Sequence, residues 1–348
     1  MSEMGINCDI ITRKIVDDRW PEFSDEFDSY PGRNNLRIVR IPFGPEGFLR
    51  KEELWPHLGE FAKRIKEFYH AERTLPNFVT THYGDGGLTG AMLFKETGIP
   101  YSFTAHSLGA QKLDKLLQTG ADRLKIEGEF NFSFRIAAER ISMKYSAINF
   151  VSTSMERFQQ YSHRLYRDFS EVGNDSRYSV APPGVNTDIF TTNSTELDGI
   201  IERRFKEAVE RFSDLSRLQL PMIVVASRLE QKKNHIGVVR AFVKDRELNS
   251  TSNLVIVTRG LHDPYEEYSS LQEPDRAVLG EIIDQILRNE IMDRVIFIDI
   301  ENQLELAALV LDIELEPLPG VERIDLETDR GREWVPNRGT KGEADPGI

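Results

Sequence analysis

The sequence predicts an α/β protein built on parallel sheets. Two observations carry this. Short runs of apolar, mostly β-branched residues recur along the chain, apolar at successive positions as strands buried on both faces are. Segments with helical spacing lie between them, and this strand–helix alternation is the pattern of parallel α/β architecture.

In order, the strand-like runs fall at residues 9–15, 36–42, 78–83, 101–106, 148–152 and 178–181, then at 222–227, 254–258 and 295–298. Residues 52–70 place Leu54, Leu58, Phe61, Ile65 and Phe68 at roughly helical spacing, so a helix is expected there. Residues 129–145, 280–289 and 301–311 read the same way. Between the sixth and seventh strands the sequence APPGVNTD, residues 181–188, joins two prolines to a glycine. That composition suits a rigid linker, so the domain boundary belongs there. After Leu318 apolar periodicity stops, and the Pro- and Gly-rich stretch 313–348 reads as a loose tail.

Composition narrows the function classes. The 348 residues carry 44 Lys+Arg against 57 Asp+Glu, a net charge of −13. That balance argues against general binding to a phosphate backbone, yet leaves room for a local basic pocket holding a small phosphorylated ligand. Cys8 is the one cysteine, so an intrachain disulfide and a Cys-rich metal site are both excluded, in keeping with a reducing cytoplasm. No apolar run approaches the roughly 20 residues of a membrane span, and the N-terminus lacks a signal-peptide pattern.

Ligands of open α/β sheets bind beyond the carboxyl ends of the strands, and three segments fall at such places. YGDGG, residues 83–87, follows the third strand as a Gly-rich turn whose backbone can approach a ligand. HSLGAQK, residues 106–112, follows the fourth. There His106 ends the strand, Ser107 is placed to cap the next helix and leave its N–H groups free, and Lys112 lies one to two turns on. SRLEQKKNH, residues 227–235, follows the seventh strand. Arg228 and Lys233 converge there as cations suited to a diphosphate leaving group. Arg135 has Glu139 four residues on, the spacing of a surface ion pair. No paired-carboxylate, HExxH or P-loop motif argues for a catalytic metal.

Together these segments are specific. THYGDGG at 81–87, TAHSLGAQKLDKL at 104–116 and ASRLEQKKNH at 226–235, with VSTSMERFQQYS at 151–162 and PPGVNTDIF at 182–190, resemble the sucrose-phosphate synthase group of retaining glycosyltransferases. The resemblance covers about residues 8–310. It implies a GT-B fold of two Rossmann-like domains, the second incomplete. Residues 1–185 would form an acceptor domain, 186–312 a partial nucleotide-sugar domain and 313–348 the tail. It implies UDP-glucose as donor, fructose 6-phosphate as acceptor, no cofactor, and a cytoplasmic enzyme. By the same resemblance His106 bonds the transferred glucose. Lys51, Tyr83, Ser107, Lys112 and Arg135 surround the acceptor, Lys112 and Arg135 at its phosphate, and Arg228 and Lys233 hold the donor diphosphate.

Two departures qualify this. The family's first strand and Gly-Gly-Gln loop have no counterpart here. Glu314 and Glu322 have the spacing of the family's acidic donor element, but Pro317, Pro319 and Gly320 break any helix between them. The chain is therefore expected to be a central portion of such a synthase, impaired alone and completed by another fragment if the gene is split. The alternatives are an inactive sugar-phosphate-binding remnant, or a synthase with another donor sugar, such as mannosylfructose-phosphate synthase.

Overall fold

The structure, a computed structural model, describes residues 2–311 apart from 31, 192, 194 and 274. The expected tail at 313–348, with Glu314 and Glu322, lies outside the described residues. The chain divides between Gly184 and Val185 into two compact units.

The first unit holds two sheets. Strand β1 (Cys8–Arg13) pairs in parallel with β3 (Arg33–Ile41), and β2 (Phe27–Tyr30) pairs antiparallel with the other side of β3. The sequence pattern misses β2 because all four of its residues are exposed, so no buried face imposes alternation. The second sheet has the order β4-β5-β6-β7, all parallel: β4 (Val79–His82), β5 (Tyr101–Thr104), β6 (Ile148–Val151) and β7 (Tyr178–Val180).

Its helices depart from the expected limits for local reasons. Helix α1 (Leu58–Ala71) starts later than residue 52 because Pro56 lies in a preceding 3-10 turn, Trp55–His57; proline suits a first turn and not a helix interior. Helix α2 (Tyr83–Thr97) begins at Tyr83, so YGDGG is the first turn of a helix and not a loop. Gly87 is there for packing. A Cβ on it would lie 2.2 Å from Ser142 Oγ and 2.7 Å from Phe103, so its hydrogen lets α2 pack tightly on the helix that carries Ser142. After α3 (Gly109–Gln118), the expected helix 129–145 splits into α4 (Arg123–Phe130) and α5 (Phe132–Tyr145) at Asn131, whose φ of 48° ends the first. Short α6 (Arg167–Ser170) precedes β7. Tyr101, Phe103, Phe132, Met143, Tyr161 and Tyr166 form the heart of this unit's core.

The second unit wraps a three-stranded parallel sheet of order β10-β9-β8: β8 (Met222–Val225), β9 (Asn253–Thr258) and β10 (Val295–Asp299). Helices α7 (Glu196–Phe212) and α12 (Gln303–Leu311) cover one face; α8 (His235–Lys244) and α11 (Asp275–Arg288) cover the other. The short helices α9 (Arg246–Thr251) and α10 (Pro264–Glu267) lie in the connections. Period-2 geometry shows in the core: Leu254, Ile256, Val295 and Phe297 join one cluster, while Val255, Val257, Ile296 and Ile298 join the other. Helix α7 escaped the sequence reading. Ala308 and Leu309 of α12 are buried in the cluster that α7 shares.

Candidate functional site

In the first unit, the five positions expected around an acceptor come together. Lys51, Tyr83, Ser107, Lys112 and Arg135 line one cavity of about 370 Å³, with Glu52, Trp55, Asp85, Phe130 and Phe132 completing its wall. Lys51 comes from a 3-10 turn before α1, Tyr83 from the start of α2, and Ser107 and Lys112 from the β5–α3 connection and α3. Arg135 comes from α5. The Lys112 ammonium sits 5.0 Å from the centre of the Phe130 ring.

Glu139, which the sequence reading placed in a surface pair with Arg135, is fully buried and organises the site. Its carboxylate accepts from Arg135 Nε at 2.9 Å, from the Gly109 amide at 3.0 and 3.1 Å, and from the Tyr166 hydroxyl. Tyr166 in turn accepts from the Ala110 amide at 2.9 Å. The first two N–H groups of α3 are therefore taken, and Ser107 is not the cap; Leu108 holds that position without a side-chain bond. Ser107 instead anchors the arginine, its carbonyl accepting from Arg135 Nη2 at 2.7 Å. Burial pushes the Glu139 carboxyl above its ordinary range, against the pull of Arg135, Tyr166 and the Gly109 amide. Burial likewise raises Asp85, although its own and Gly86's amides, Arg135 and Lys51 favour the anion.

His106 lies two residues beyond the end of β5, not on the strand, with φ of 55°. Tyr83 has φ of 61°. Two non-glycine residues in the left-handed region, side by side at a candidate site, are the kind of backbone strain that function retains. Their ring centres are 4.8 Å apart. On its other side His106 Nε2 meets His82 Nδ1 at 2.8 Å, the two imidazoles stacked at 5.0 Å. Burial and the neighbouring His106 charge hold His82 below its usual pKa. Sequence reasoning missed His82, although it stands in the quoted THYGDGG segment. Its partner is 24 residues away, a separation only strand pairing closes.

In the second unit, Arg228 and Lys233 share the loop after β8, Lys233 within the 3-10 turn Gln231–Lys233. Arg228 is not an unopposed cation: its Nη1 meets Glu230 Oε1 at 2.9 Å, and Lys232 meets the same carboxylate at 2.6 Å. These cations hold Glu230 below the usual carboxylate range, the Lys232 hydrogen bond most of all. Beneath the loop, buried His235 shares a 3.2 Å contact with Ser227 Oγ. Among the described residues no group of three or more His, Cys, Asp or Glu is placed to hold a metal ion. No helix among them is long and apolar enough to cross a membrane.

The model of the sucrose synthase first GT-B domain matches residues 4–212. The chain belongs to this family. This GT-B family member is 47% identical over 268 residues to a probable sucrose-phosphate synthase of Thermosipho melanesiensis, an alignment covering 77% of this chain and 57% of that protein. It is 28% identical over 323 residues to probable sucrose-phosphate synthase 2 of Arabidopsis thaliana, covering 80% and 31%. A solved sucrose-phosphate synthase from Thermosynechococcus elongatus superposes with a TM-score of 0.60 at 17% identity, over 89% of this chain and 64% of that one. That likeness shows the GT-B fold. The chain thus spans less than two thirds of the length of these relatives, whose names are those of glycosyltransferases.

Proposed function

We propose that the chain is a sucrose-phosphate-synthase-type glucosyltransferase component that takes fructose 6-phosphate in the first unit and UDP-glucose in the second. One observation carries this reading: Lys51, Lys112 and Arg135 converge on a cavity of about 370 Å³ with the aromatic walls of Tyr83 and Trp55. That size is in the range of small-molecule sites. Lys112 and Arg135 would hold the acceptor phosphate, Arg135 aimed by Glu139 and Ser107 so that little reorganisation is needed on binding. Arg228 and Lys233 would stabilise charge on the departing diphosphate, Arg228 exchanging Glu230 for it. The acceptor hydroxyl would attack the anomeric carbon on the face the diphosphate leaves. The diphosphate takes the hydroxyl proton, and His106 contacts the transferred sugar.

The pairing of Arg228 with Glu230 favours a second reading, sugar-phosphate binding without turnover. Calorimetry and a coupled assay of UDP release separate the two. Fructose 6-phosphate should bind at least about tenfold more tightly than fructose, and Lys112→Ala should erase most of that difference, as expected for a charge-assisted contact. Equal affinities for the two sugars would remove the phosphate pocket. Phosphate preference without UDP release selects the second reading.

A further inference from the structure

A histidine can meet a sugar hydroxyl as donor or as acceptor, since a neutral imidazole carries one nitrogen of each kind. Which nitrogen is which follows from the bond that the other one makes. His106 Nε2 meets His82 Nδ1 at 2.8 Å, and the two ring planes are 23° apart. Two bare lone pairs, or two N–H groups, would repel at that distance, so one proton stands between the rings. Among the described residues no hydrogen bond engages His106 Nδ1 or His82 Nε2.

Two arrangements satisfy this contact. In one, His106 Nε2–H donates to a bare His82 Nδ1, and both rings carry their proton on Nε2, the form that free neutral histidine prefers in water. In the other, His82 Nδ1–H donates to a bare His106 Nε2, and both rings take the less favoured Nδ1–H form. The preference counts twice in favour of the first. Burial, and then the neighbouring His106 charge, hold the His82 pKa down, which favours the neutral ring that an acceptor must be. The backbone leaves His106 little other freedom. His82 ends β4 in register with Thr104 of β5, and His106 follows Thr104 by two residues. Across His106 the Ser107 amide donates to the Ala105 carbonyl at 2.6 Å, the bond of a γ-turn, and the φ of 55° belongs to its rare, strained form. Consecutive residues His82 and Tyr83 thus hold the imidazole from two sides.

We propose that His82 is a positioning residue that fixes the polarity of His106. By accepting the Nε2 proton it leaves His106 Nδ1 a bare acceptor, so His106 takes a hydrogen bond from a hydroxyl of the transferred sugar and does not give one. The sugar contact rests on the function proposed above; the proton arrangement between the two rings does not.

Nitrogen-15 NMR of the full chain, labelled at its seven histidines, tests this at about pH 8, where a histidine of ordinary pKa is neutral. Protonated and bare imidazole nitrogens resonate far apart, and His106→Gln identifies the His106 signals. His106 should show Nε2 protonated and Nδ1 bare. In His82→Phe, which cannot accept, the two tautomers should mix and the two shifts converge. In His82→Asn, whose Oδ1 stands where the imidazole has Nδ1, they should return to the wild-type values. A merely structural His82 would leave the His106 shifts alike in all three proteins. In any preparation that releases UDP, His82→Phe should lower kcat about three- to tenfold, the worth of one ordinary hydrogen bond, with KM for fructose 6-phosphate within about twofold, and His82→Asn should restore kcat. Wild-type His106 protonated at Nδ1, tautomers already mixed in the wild type, or equal effects of the Phe and Asn variants would overturn the proposal. UDP-glucose, and not UDP, should move the His106 Nδ1 signal. A fixed tautomer that UDP-glucose leaves unmoved would support the role of His82 and overturn the sugar contact of the proposed function instead.

Discussion

Replacing Gly87 by alanine tests whether the YGDGG segment is a packing device. The added methyl would meet Ser142 Oγ at 2.2 Å, Ser142 Cβ at 2.6 Å and Phe103 Cδ2 at 2.7 Å. Ser142 cannot readily yield, since its hydroxyl donates to Ala138 O at 2.7 Å and the residue is buried. Overpacking of this kind costs up to about 3 kcal/mol. Alanine's better helix propensity returns about 1 kcal/mol, leaving a net loss of about 2 kcal/mol. Gly86 is the control on the same turn of α2: its nearest neighbour, Thr81 Cβ, is 4.0 Å from an added Cβ, so Gly86→Ala should gain about 1 kcal/mol. For a unit of this size 1 kcal/mol moves Tm by about 2–4 °C. Calorimetric scans should therefore show the first unit's transition about 4–8 °C lower for Gly87→Ala and about 2–4 °C higher for Gly86→Ala. The two units can melt separately, so the transitions are to be resolved before comparison. Equal Tm values for the two variants would refute the packing argument and return Gly87 to a ligand-approach role.

Two further outcomes are expected. In any preparation that releases UDP, His106→Ala should lower turnover by on the order of 10²-fold while leaving fructose 6-phosphate affinity within about threefold; a loss of tenfold or less with unchanged binding would leave His106 a structural partner of His82 and Tyr83. Buried His235 has its pKa held down by burial, its Nδ1 lacking a hydrogen-bond partner. The unfolded chain therefore binds the extra proton first, and the second unit should lose stability as pH falls below about 6.5, levelling off beneath the folded-state pKa. His235→Gln should flatten that dependence in Tm scans from pH 8 to 5. A wild-type second transition that is already flat over this range would contradict it.

The local code of the chain is enough for the alternation of strands and helices, because a strand apolar at every position and a helix with an apolar stripe carry their periods in the residues themselves. Strand β9 was legible for this reason, buried on both faces. The motifs around Tyr83, His106 and Arg228 were legible as segments that follow strands, and the resemblance they carried matches the family to which the chain belongs. Strand β2 was not legible, since nothing buries it and no alternation is imposed. Neither was the job of YGDGG: a glycine needed for a loop and one needed for a helix crossing look the same until Ser142 and Phe103 arrive beside it.

The sequence alone determined the residue types that meet at the candidate site, three cations with aromatic neighbours, one before α1, one on α3 and one on α5. Only the tertiary structure decided how they are held. Glu139 shows this most clearly. Its spacing from Arg135 is that of an exposed helix pair, yet packing of α5 against α2 and α3 removes it from water. Once buried, a carboxylate must collect donors, and it takes them from Arg135, Tyr166 and the first amide of α3. Burial is a property of the whole unit, set by which surfaces meet, so no local stretch of sequence contains it.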